Sequence, residues 1–291
     1  MSTQKVALIT GCSTGFGRVM AETLARHQCR VFAGMRDIQG RNSEKAREIR
    51  EFAAKESLAL SPIELDVTDD ASVDSAVAEV IRAAGQIDVL VNNAGLTVRG
   101  LAEAVTVEQT RRIFETNVFA VQRMNRAVLP HMRKRNSGLL IHISSQAGRI
   151  VLPGLGTYGA SKAALESLVE SYHYELAAQG IDCVLVQPGA FATAIGQNAD
   201  KAADEQTEAA YGPGKEITMT MMGNLGKRRD PQEVADAVLK LVESPAGKRP
   251  LRTGVGVNGD FVDRLNAFTD KIQEGILEIF GLTALTKFKS R

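Results

Sequence analysis

The chain has 291 residues, 44% hydrophobic and 24% charged, which is enough apolar material for one large core and excludes a largely disordered chain. Its 35 basic and 34 acidic side chains nearly cancel, so no overall field attracts nucleic acid or an anionic membrane. Three cysteines, no metal-ligand spacing, no signal peptide and no membrane-spanning run favour a cytoplasmic protein without a metal site.

Short strands and amphipathic helices alternate along most of the chain. Apolar residues at helical spacing, such as Val73, Val77 and Val80, predict crossover helices between the strands. The alternation predicts one doubly wound parallel α/β sheet of about seven strands, with helices on both faces. The predicted strands are Lys5–Thr10, Arg30–Met35, Ala59–Asp66, Ile87–Asn92, Gly138–Ser144, Ile181–Gln187 and Gly254–Val257.

The first strand leads into a glycine-rich turn, Gly11-x-x-x-Gly15-x-Gly17, and the segment Arg18–His27 then has a helical pattern. Glycines allow backbone amides to approach a pyrophosphate, and a helix N-terminus attracts anions. The turn therefore predicts a dinucleotide site, although a purely structural glycine turn is the alternative.

The end of the second strand, Met35-Arg36-Asp37, is where dinucleotide folds read the adenosine ribose. Arg36 offers a fork of donors to a 2′-phosphate and favours NADP(H). Asp37 would instead favour NAD(H), but it lies one position further into the loop. We expect NADP(H) to be preferred, with NAD(H) possible.

The segment 190–229 lacks a regular pattern and is too long for an ordinary connection, so we expect a substrate lid that contains short helices. Beyond residue 258, a C-terminal helical extension over about 259–285 carries an apolar stripe that packs on the domain or on a partner subunit. Its residues are Leu265, Phe268, Ile272, Ile276 and Ile279. No linker composition divides residues 1–291, which predicts a single domain.

Several motifs in this order and spacing resemble the short-chain dehydrogenase/reductase family, in its single-domain branch. They are the glycine turn, Asp66-Val67, Asn92-Asn93-Ala94-Gly95, Asn117, Ser144-Ser145, Tyr158-x-x-x-Lys162, and Pro188-Gly189 followed by Thr193. The resemblance covers about residues 5–257. It implies a Rossmann-type fold and an oxidoreductase that interconverts an alcohol and a ketone or aldehyde with NAD(P)(H).

Four residues separate Tyr158 from Lys162, so both side chains lie on one face of a helix and can act together. The neighbouring ammonium, with the oxidised cofactor, should favour the phenolate and make Tyr158 the general acid/base. By resemblance, Ser145 hydrogen-bonds the substrate oxygen, and Asn117 holds a water in a proton relay through Lys162. A buried structural Asn117 is the alternative.

The resemblance also implies a set of cofactor-binding residues. Asp66 and Val67 would bind adenine, and Lys162 would hold the nicotinamide ribose, although Asp66 could instead only cap the next helix. The full set is Gly11, Ser13, Thr14, Gly15, Phe16, Gly17, Arg36, Asp66, Val67, Asn93, Ala94, Gly95, Tyr158, Lys162, Pro188, Gly189 and Thr193.

The predicted substrate is a small hydrophobic carbonyl or alcohol. The segment Gly148–Leu155, Phe191 and the run Ile217–Leu225 would surround it, although the methionines of that run could equally fill a core helix. The motifs resemble most the 17β-hydroxysteroid and retinol dehydrogenase branch. By resemblance, helices Val107–Met132 and Thr157–Ala178 form the subunit contact, which implies a homodimer or homotetramer. A non-enzymatic NADP(H) sensor or scaffold is the competing hypothesis.

Overall fold

The computed structural model describes residues 4–191, 199–223 and 229–289. Its strands are β1 Val6–Ile9, β2 Arg30–Met35, β3 Leu60–Glu64, β4 Val89–Asn92, β5 Val98–Arg99, β6 Gly138–Ile143, β7 Ile181–Pro188, β8 Asp200–Lys201 and β9 Arg252–Val255. Seven of them form a parallel sheet in the order β3-β2-β1-β4-β6-β7-β9, which confirms the predicted fold. The paired two-residue strands β5 and β8 are too short to give a sequence pattern.

The helices lie between these strands and after the last one. They are α1 Gly15–Arg26, α2 Ser43–Glu56, α3 Asp70–Ala84, α4 Val107–Phe114, α5 Ala120–Arg135, α6 Gly156–Ala177, α7 Glu205–Ala210, α8 Pro213–Gly223, α9 Gln232–Glu243 and α10 Gly259–Ile279. In the described part of the chain, none is long and apolar enough to span a bilayer.

Two hydrophobic cores cover the two faces of the sheet. Successive side chains of a strand point to opposite faces, so Ile9 of β1 belongs to one core and Leu8 to the other. The first core includes Leu24 of α1, and the second includes Val77 of α3. Helices cover both faces of the sheet, so the side chains on both faces of each strand are buried. This burial explains why the strands are continuous apolar runs.

The predicted helix Val107–Met132 is helical throughout and extends to Arg135, but it is not a uniform α-helix. It consists of α4 and α5, joined by a π-helical turn at Glu115–Phe119. One extra residue per turn shifts the face that a helix presents, and such turns are frequent at functional sites. The periodicity of Phe114, Val118, Val121 and Val128 does not reveal it, because the neighbouring α-helical spacing dominates the pattern.

In the described part of the segment 190–229, the structure has two short helices, α7 and α8, and short helices were predicted there. Phe191 and Arg229 bridge its two ends in a parallel arrangement. Thr193 and residues 224–225 lie outside the described residues, as do the side chains of Ile217, Met219, Met221 and Met222. The predicted contacts of these side chains stay predictions.

Candidate active site

The predicted site residues that the structure describes gather at one edge of the sheet, because parallel strands all end on the same side. The glycine turn follows β1, Asp66 follows β3, Asn93 follows β4, Ser145 follows β6 and Pro188 ends β7. The strand order reverses between β1 and β4, and a crevice forms at such a reversal.

The glycine turn is held against the loop after β4. Gly11 has φ +72°, and a Cβ there would come within 2.9 Å of Ala94 Cα. The Asn93 amide Nδ2 donates to Thr10 O at 2.8 Å, and the Thr10 hydroxyl accepts from the backbone N of Asn93 and of Ala94, each at 2.9 Å. Sequence reasoning missed Thr10, although it directly precedes the glycines.

Helix α1 begins at Gly15, three residues earlier than predicted, so Phe16 and Gly17 lie in its first turn. Gly15 has φ +60°, and a Cβ on Gly17 would collide with the Gly11 carbonyl oxygen. Thr14 is the N-cap, and its side chain makes no capping hydrogen bond. The Thr14 side chain therefore leaves the first backbone amides of α1 unoccupied at this cap. A phosphate-binding turn needs these amides as donors to the phosphate. Ser13 is half-buried beside it.

The loop after β3 is fixed by Asp66. Its Oδ1 accepts from Thr68 N at 2.9 Å and from the Thr68 hydroxyl at 2.7 Å. The N-cap of α3 is Asp69, which accepts from Ser72 N, so the alternative that Asp66 only caps this helix is wrong. The Val67 carbonyl accepts from Arg123 Nη1 at 2.9 Å.

A cleft of about 530 Å³ opens at the end of β2. Arg36 and Arg41 line it, with Asp37, Gln39, Glu64 and Asp66. The Asp37 carboxylate turns back into its own loop, where Oδ2 accepts from Arg41 N at 2.9 Å, and Asp37 itself has φ +53°. Arg36 is therefore freer than Asp37 to meet a ligand, and Arg41 is a second cation that sequence reasoning missed.

Tyr158 and Lys162 lie on the first turns of α6, beside Ser145. The Ser145 hydroxyl is near enough to the Tyr158 phenol to lower its pKa, and it donates to Pro188 O at 3.5 Å and accepts from Ala147 N at 3.1 Å. Lys162 Nζ lies 5.9 Å from the Tyr158 ring centroid and donates to Ile143 O at 2.8 Å. The structure therefore brings together the three side chains that the motifs nominate for proton transfer.

Burial governs the titration of this group. It raises the pKa of Tyr158 above 10, against a smaller lowering by the Ser145 hydrogen bond. It lowers the pKa of Lys162 from 10.5 to about 8, while the Glu166 carboxylate opposes this shift. The pKa of Tyr158 thus moves in the direction opposite to the sequence expectation. Desolvation disfavours the phenolate, and the expectation had included the positive charge of the oxidised cofactor.

We expect Lys162→Met to change how stability depends on pH. Since the folded pKa of about 8 lies below the unfolded value of 10.5, the folded parent loses its proton first and gains stability as pH rises. The unfolding free energy of the variant relative to the parent should therefore fall by about 2 kcal/mol between about pH 7 and about pH 9.5, in urea titrations without cofactor. Lys55→Met, at an exposed position, is the control. An unchanged difference across this range would contradict the pKa of Lys162.

Asn117 is fully buried in the π-helical turn. Its Nδ2 donates to Leu96 O at 3.0 Å and to Ser161 Oγ at 2.9 Å, and its Oδ1 accepts from Leu96 N at 2.8 Å. A Cβ on Gly95 would lie 3.3 Å from Asn117 Oδ1 and 3.8 Å from Lys162 Nζ. The Asn117 side chain thus fastens the loop after β4 to α6, in addition to any part in a proton relay.

Sequence reasoning missed a buried carboxylate below Lys162. Glu166 is 2% exposed and accepts from the Ser144 hydroxyl at 2.6 Å and from Gln187 Nε2 at 3.0 Å. Burial raises its pKa. Glu166 follows Lys162 by one helical turn, and this spacing was the available signal. The contact also explains why Ser144 is structural and leaves Ser145 to face Tyr158.

On the substrate side, Ile150 and Val151 are exposed at 39% and 86%. Phe191 packs edge-to-face on Phe16, with ring centroids 5.4 Å apart. Gly189 N donates to Val255 O at 2.9 Å, which joins the end of β7 to β9. The predicted apolar segment after Gly148 therefore presents open hydrophobic surface, whereas Phe191 lies against the glycine turn.

Comparisons with known proteins agree with this site. Residues 5–204 match the family model described as short chain dehydrogenase. The chain is 37% identical over 245 residues to the uncharacterized oxidoreductase YusZ of Bacillus subtilis, covering 82% of this chain and 84% of that protein. It is 37% identical over 194 residues to a 3-ketodihydrosphingosine reductase of Bacteroides thetaiotaomicron, covering 67% of this chain and 66% of that protein.

Solved structures agree as well. A short-chain dehydrogenase from Streptomyces avermitilis has TM-score 0.74 and 34% identity, covering 98% of this chain and 99% of that one. ElxO with NADP bound has TM-score 0.72 and 25% identity, covering 88% of this chain and 98% of that one. A Brucella melitensis 3-ketoacyl-(acyl-carrier-protein) reductase complexed with NADH has TM-score 0.69 and 27% identity, covering 87% and 96%.

Two of the solved structures hold a nicotinamide cofactor, one NADP and the other NADH, and the relatives named above include no 17β-hydroxysteroid or retinol dehydrogenase. The likeness therefore fixes the family and the reaction class and leaves the branch open. The chain belongs to the short-chain dehydrogenase/reductase family and is an oxidoreductase that interconverts an alcohol and a carbonyl compound with NAD(P)(H).

Proposed function

We propose that this enzyme reduces a small hydrophobic ketone or aldehyde with NADPH, and oxidises the matching alcohol in reverse, with Tyr158 as the general acid/base. The observation that carries the proposal is the grouping of Tyr158 with Lys162, whose Nζ lies 5.9 Å from the Tyr158 ring centroid, beside Ser145. When bound, the nicotinamide supplies or accepts the hydride.

In the reduction direction, the Tyr158 phenol donates its proton to the carbonyl oxygen. The Ser145 hydroxyl donates a hydrogen bond to the same oxygen and stabilises the charge that develops there. Lys162 Nζ lies 5.9 Å from the Tyr158 ring centroid, and its positive charge stabilises the phenolate that forms when Tyr158 gives up its proton. The buried Asn117 holds the loop after β4 against α6 through Leu96 and Ser161. A water held by Asn117 would return a proton to Tyr158 through Lys162.

The proposed preference for NADP(H) is supported by the cleft beside β2. Arg36 and Arg41 offer two cations to a 2′-phosphate, while the Asp37 carboxylate is engaged by Arg41 N. Toward the adenine, Asp66 and Val67 are the proposed contacts. The amides of the glycine turn at α1 would hold the pyrophosphate, and Pro188, Gly189 and Thr193 would orient the carboxamide.

The proposal of a hydrophobic substrate has two supports. Ile150 and Val151, in the loop that follows Ser145 in sequence, present exposed apolar surface, and one relative is named for acting on 3-ketodihydrosphingosine, a ketone. The likeness of the glycine turn to 17β-hydroxysteroid and retinol dehydrogenases points the same way. Residues 190–229 would form the substrate lid of a single domain, with the C-terminal extension beside it.

We also propose that the enzyme is a cytoplasmic homodimer or homotetramer that uses helices 107–132 and 157–178. Phe119, which is 49% exposed, lies in this region. The three cysteines are buried and free, which fits a reducing compartment. Sedimentation at micromolar concentration tests the assembly, and a monomer would contradict it.

The test of function is NADPH consumption against a panel of hydrophobic ketones and aldehydes, including a 3-keto long-chain base, a steroid and retinal. Transfer of deuterium from [4-²H]NADPH to the carbonyl carbon must accompany consumption. Turnover that Tyr158→Phe abolishes supports the proposal. NADPH binding by calorimetry without turnover on any member would instead favour a sensor or scaffold.

A further inference from the structure

Helix α10 contacts the rest of the protein through four polar side chains, together with the buried Val262 and Leu277. Asp263 Oδ1 accepts from Gly254 N at 2.9 Å, and Asn266 Nδ2 donates to Gln187 Oε1 at 2.7 Å. Further along, Thr269 Oγ1 accepts from Arg149 Nη2 at 2.8 Å, and Asp270 is paired with Arg252. These contacts fix the rotation of α10 about its axis.

Apart from the buried Val262 and Leu277, the large apolar residues of α10 lie on its outer side and are exposed. The α10 stripe consists of Phe261, Leu265, Phe268, Ile272, Ile276 and Ile279, which are exposed at 61%, 36%, 64%, 50%, 40% and 81%. Of the two sequence expectations, packing on the chain's own domain is therefore wrong, because the contacts of Asn266 and Asp270 turn the stripe away. A row of six large apolar residues in water marks an interaction surface.

The charges beside the stripe disfavour a membrane as the partner. Helices that lie on membranes are rich in Lys and Arg on their polar face. Here the exposed positions beside the stripe carry Arg264 and Lys271 against Asp260, Glu274 and Glu278. Acidic residues outnumber basic ones, so an anionic lipid surface would not be attracted.

The stripe is complementary to itself in an antiparallel arrangement. Placing Phe268 opposite Ile272 of a second copy also places Phe261 opposite Ile279 of that copy. Leu265 then faces Gly275, where an added Cβ meets only open space, so that a large side chain fits. The same alignment brings Arg264 near Glu278 of the second copy, and two-fold symmetry repeats each pair.

We propose that the α10 stripe is a contact between two copies of this chain, formed by their α10 helices packed antiparallel. It is separate from the contact expected of helices 107–132 and 157–178, and it does not depend on the proposed substrate or cofactor. A protein with both contacts is a tetramer, and a protein with this contact alone is a dimer.

The first test compares Phe268→Glu with Ala267→Glu in the full-length protein. Both positions are exposed and adjacent, but Ala267 lies about 100° around the helix and off the stripe. We expect Phe268→Glu to halve the mass measured by sedimentation at micromolar concentration, and Ala267→Glu to leave it unchanged. Circular dichroism and a thermal melt verify that both variants are folded. A parent mass unaffected by Phe268→Glu, or a monomeric parent, would overturn the proposal.

The second test uses disulfide trapping, which reports orientation without charging the stripe. Phe268→Cys and Ile272→Cys are purified separately, mixed, allowed to exchange subunits and oxidised with diamide. The native cysteines Cys12, Cys29 and Cys183 are buried, so they do not compete. We expect the mixture to give covalent dimers well above either variant alone. Equal crosslinking of each variant alone would indicate a parallel pairing, and no crosslink in the mixture would exclude the contact; either result overturns the antiparallel proposal.

Discussion

Tyr158→Phe should lower kcat by a factor of about 10²–10⁴, the usual contribution of a positioned general acid. The substitution removes one hydroxyl and keeps the ring that packs near Lys162. Without the phenol, no side chain next to Ser145 holds a proton ready for the carbonyl oxygen. NADPH affinity, measured by calorimetry or fluorescence titration, should stay within about threefold, because the lost group acts mainly in the transition state.

Tyr172→Phe is the matched control for this prediction. Tyr172 lies on the same helix, α6, and packs against the second core, away from Ser145. The same change of chemistry there should leave kcat nearly unaltered. If the two variants lost activity equally, the effect would come from the fold of α6 and the assignment of Tyr158 as general acid would be wrong.

Arg36→Ala should lower the ratio of kcat/KM for NADPH to kcat/KM for NADH by about 10- to 100-fold. A hydrogen bond to a charged group contributes about 1.5–3 kcal/mol, and about 1.4 kcal/mol corresponds to a factor of ten. The Arg36 side chain also lies 3.9 Å from Asp66, so some loss with both cofactors can arise from the adenine side. The ratio removes that shared loss, because NADH lacks only the 2′-phosphate.

Two further variants sharpen the cofactor experiment. Arg41→Ala, from the same cleft, should lower the ratio in the same direction. Arg47→Ala, an exposed arginine on α2 outside the residues that line the cleft, should leave it unchanged. Equal changes of kcat/KM for NADPH and NADH in Arg36→Ala would show that no 2′-phosphate is read there.

Local sequence determined much of the site because its chemistry is encoded at short range. A spacing of four residues places Tyr158 and Lys162 on one helical face. Short, continuously apolar strands that alternate with amphipathic helices predict a parallel sheet covered on both sides. Once the sheet is parallel, every strand end carries its motif to the same edge. The glycine turn, Asp66, Asn93 and Ser145 therefore come together without any long-range information beyond the topology.

Tertiary structure alone decided what depends on partners distant in the chain. The π-helical turn at Asn117 is stabilised by contacts with Leu96 and Ser161, and Glu166 is held by Ser144 and Gln187. The pKa of Tyr158 rises because of burial, which no local spacing expresses. A helical stripe shows only that one side is apolar. Which side of α10 meets the protein was decided by the long-range contacts of Asn266 and Asp270, because satisfying buried polar groups outweighed burying the stripe within one chain.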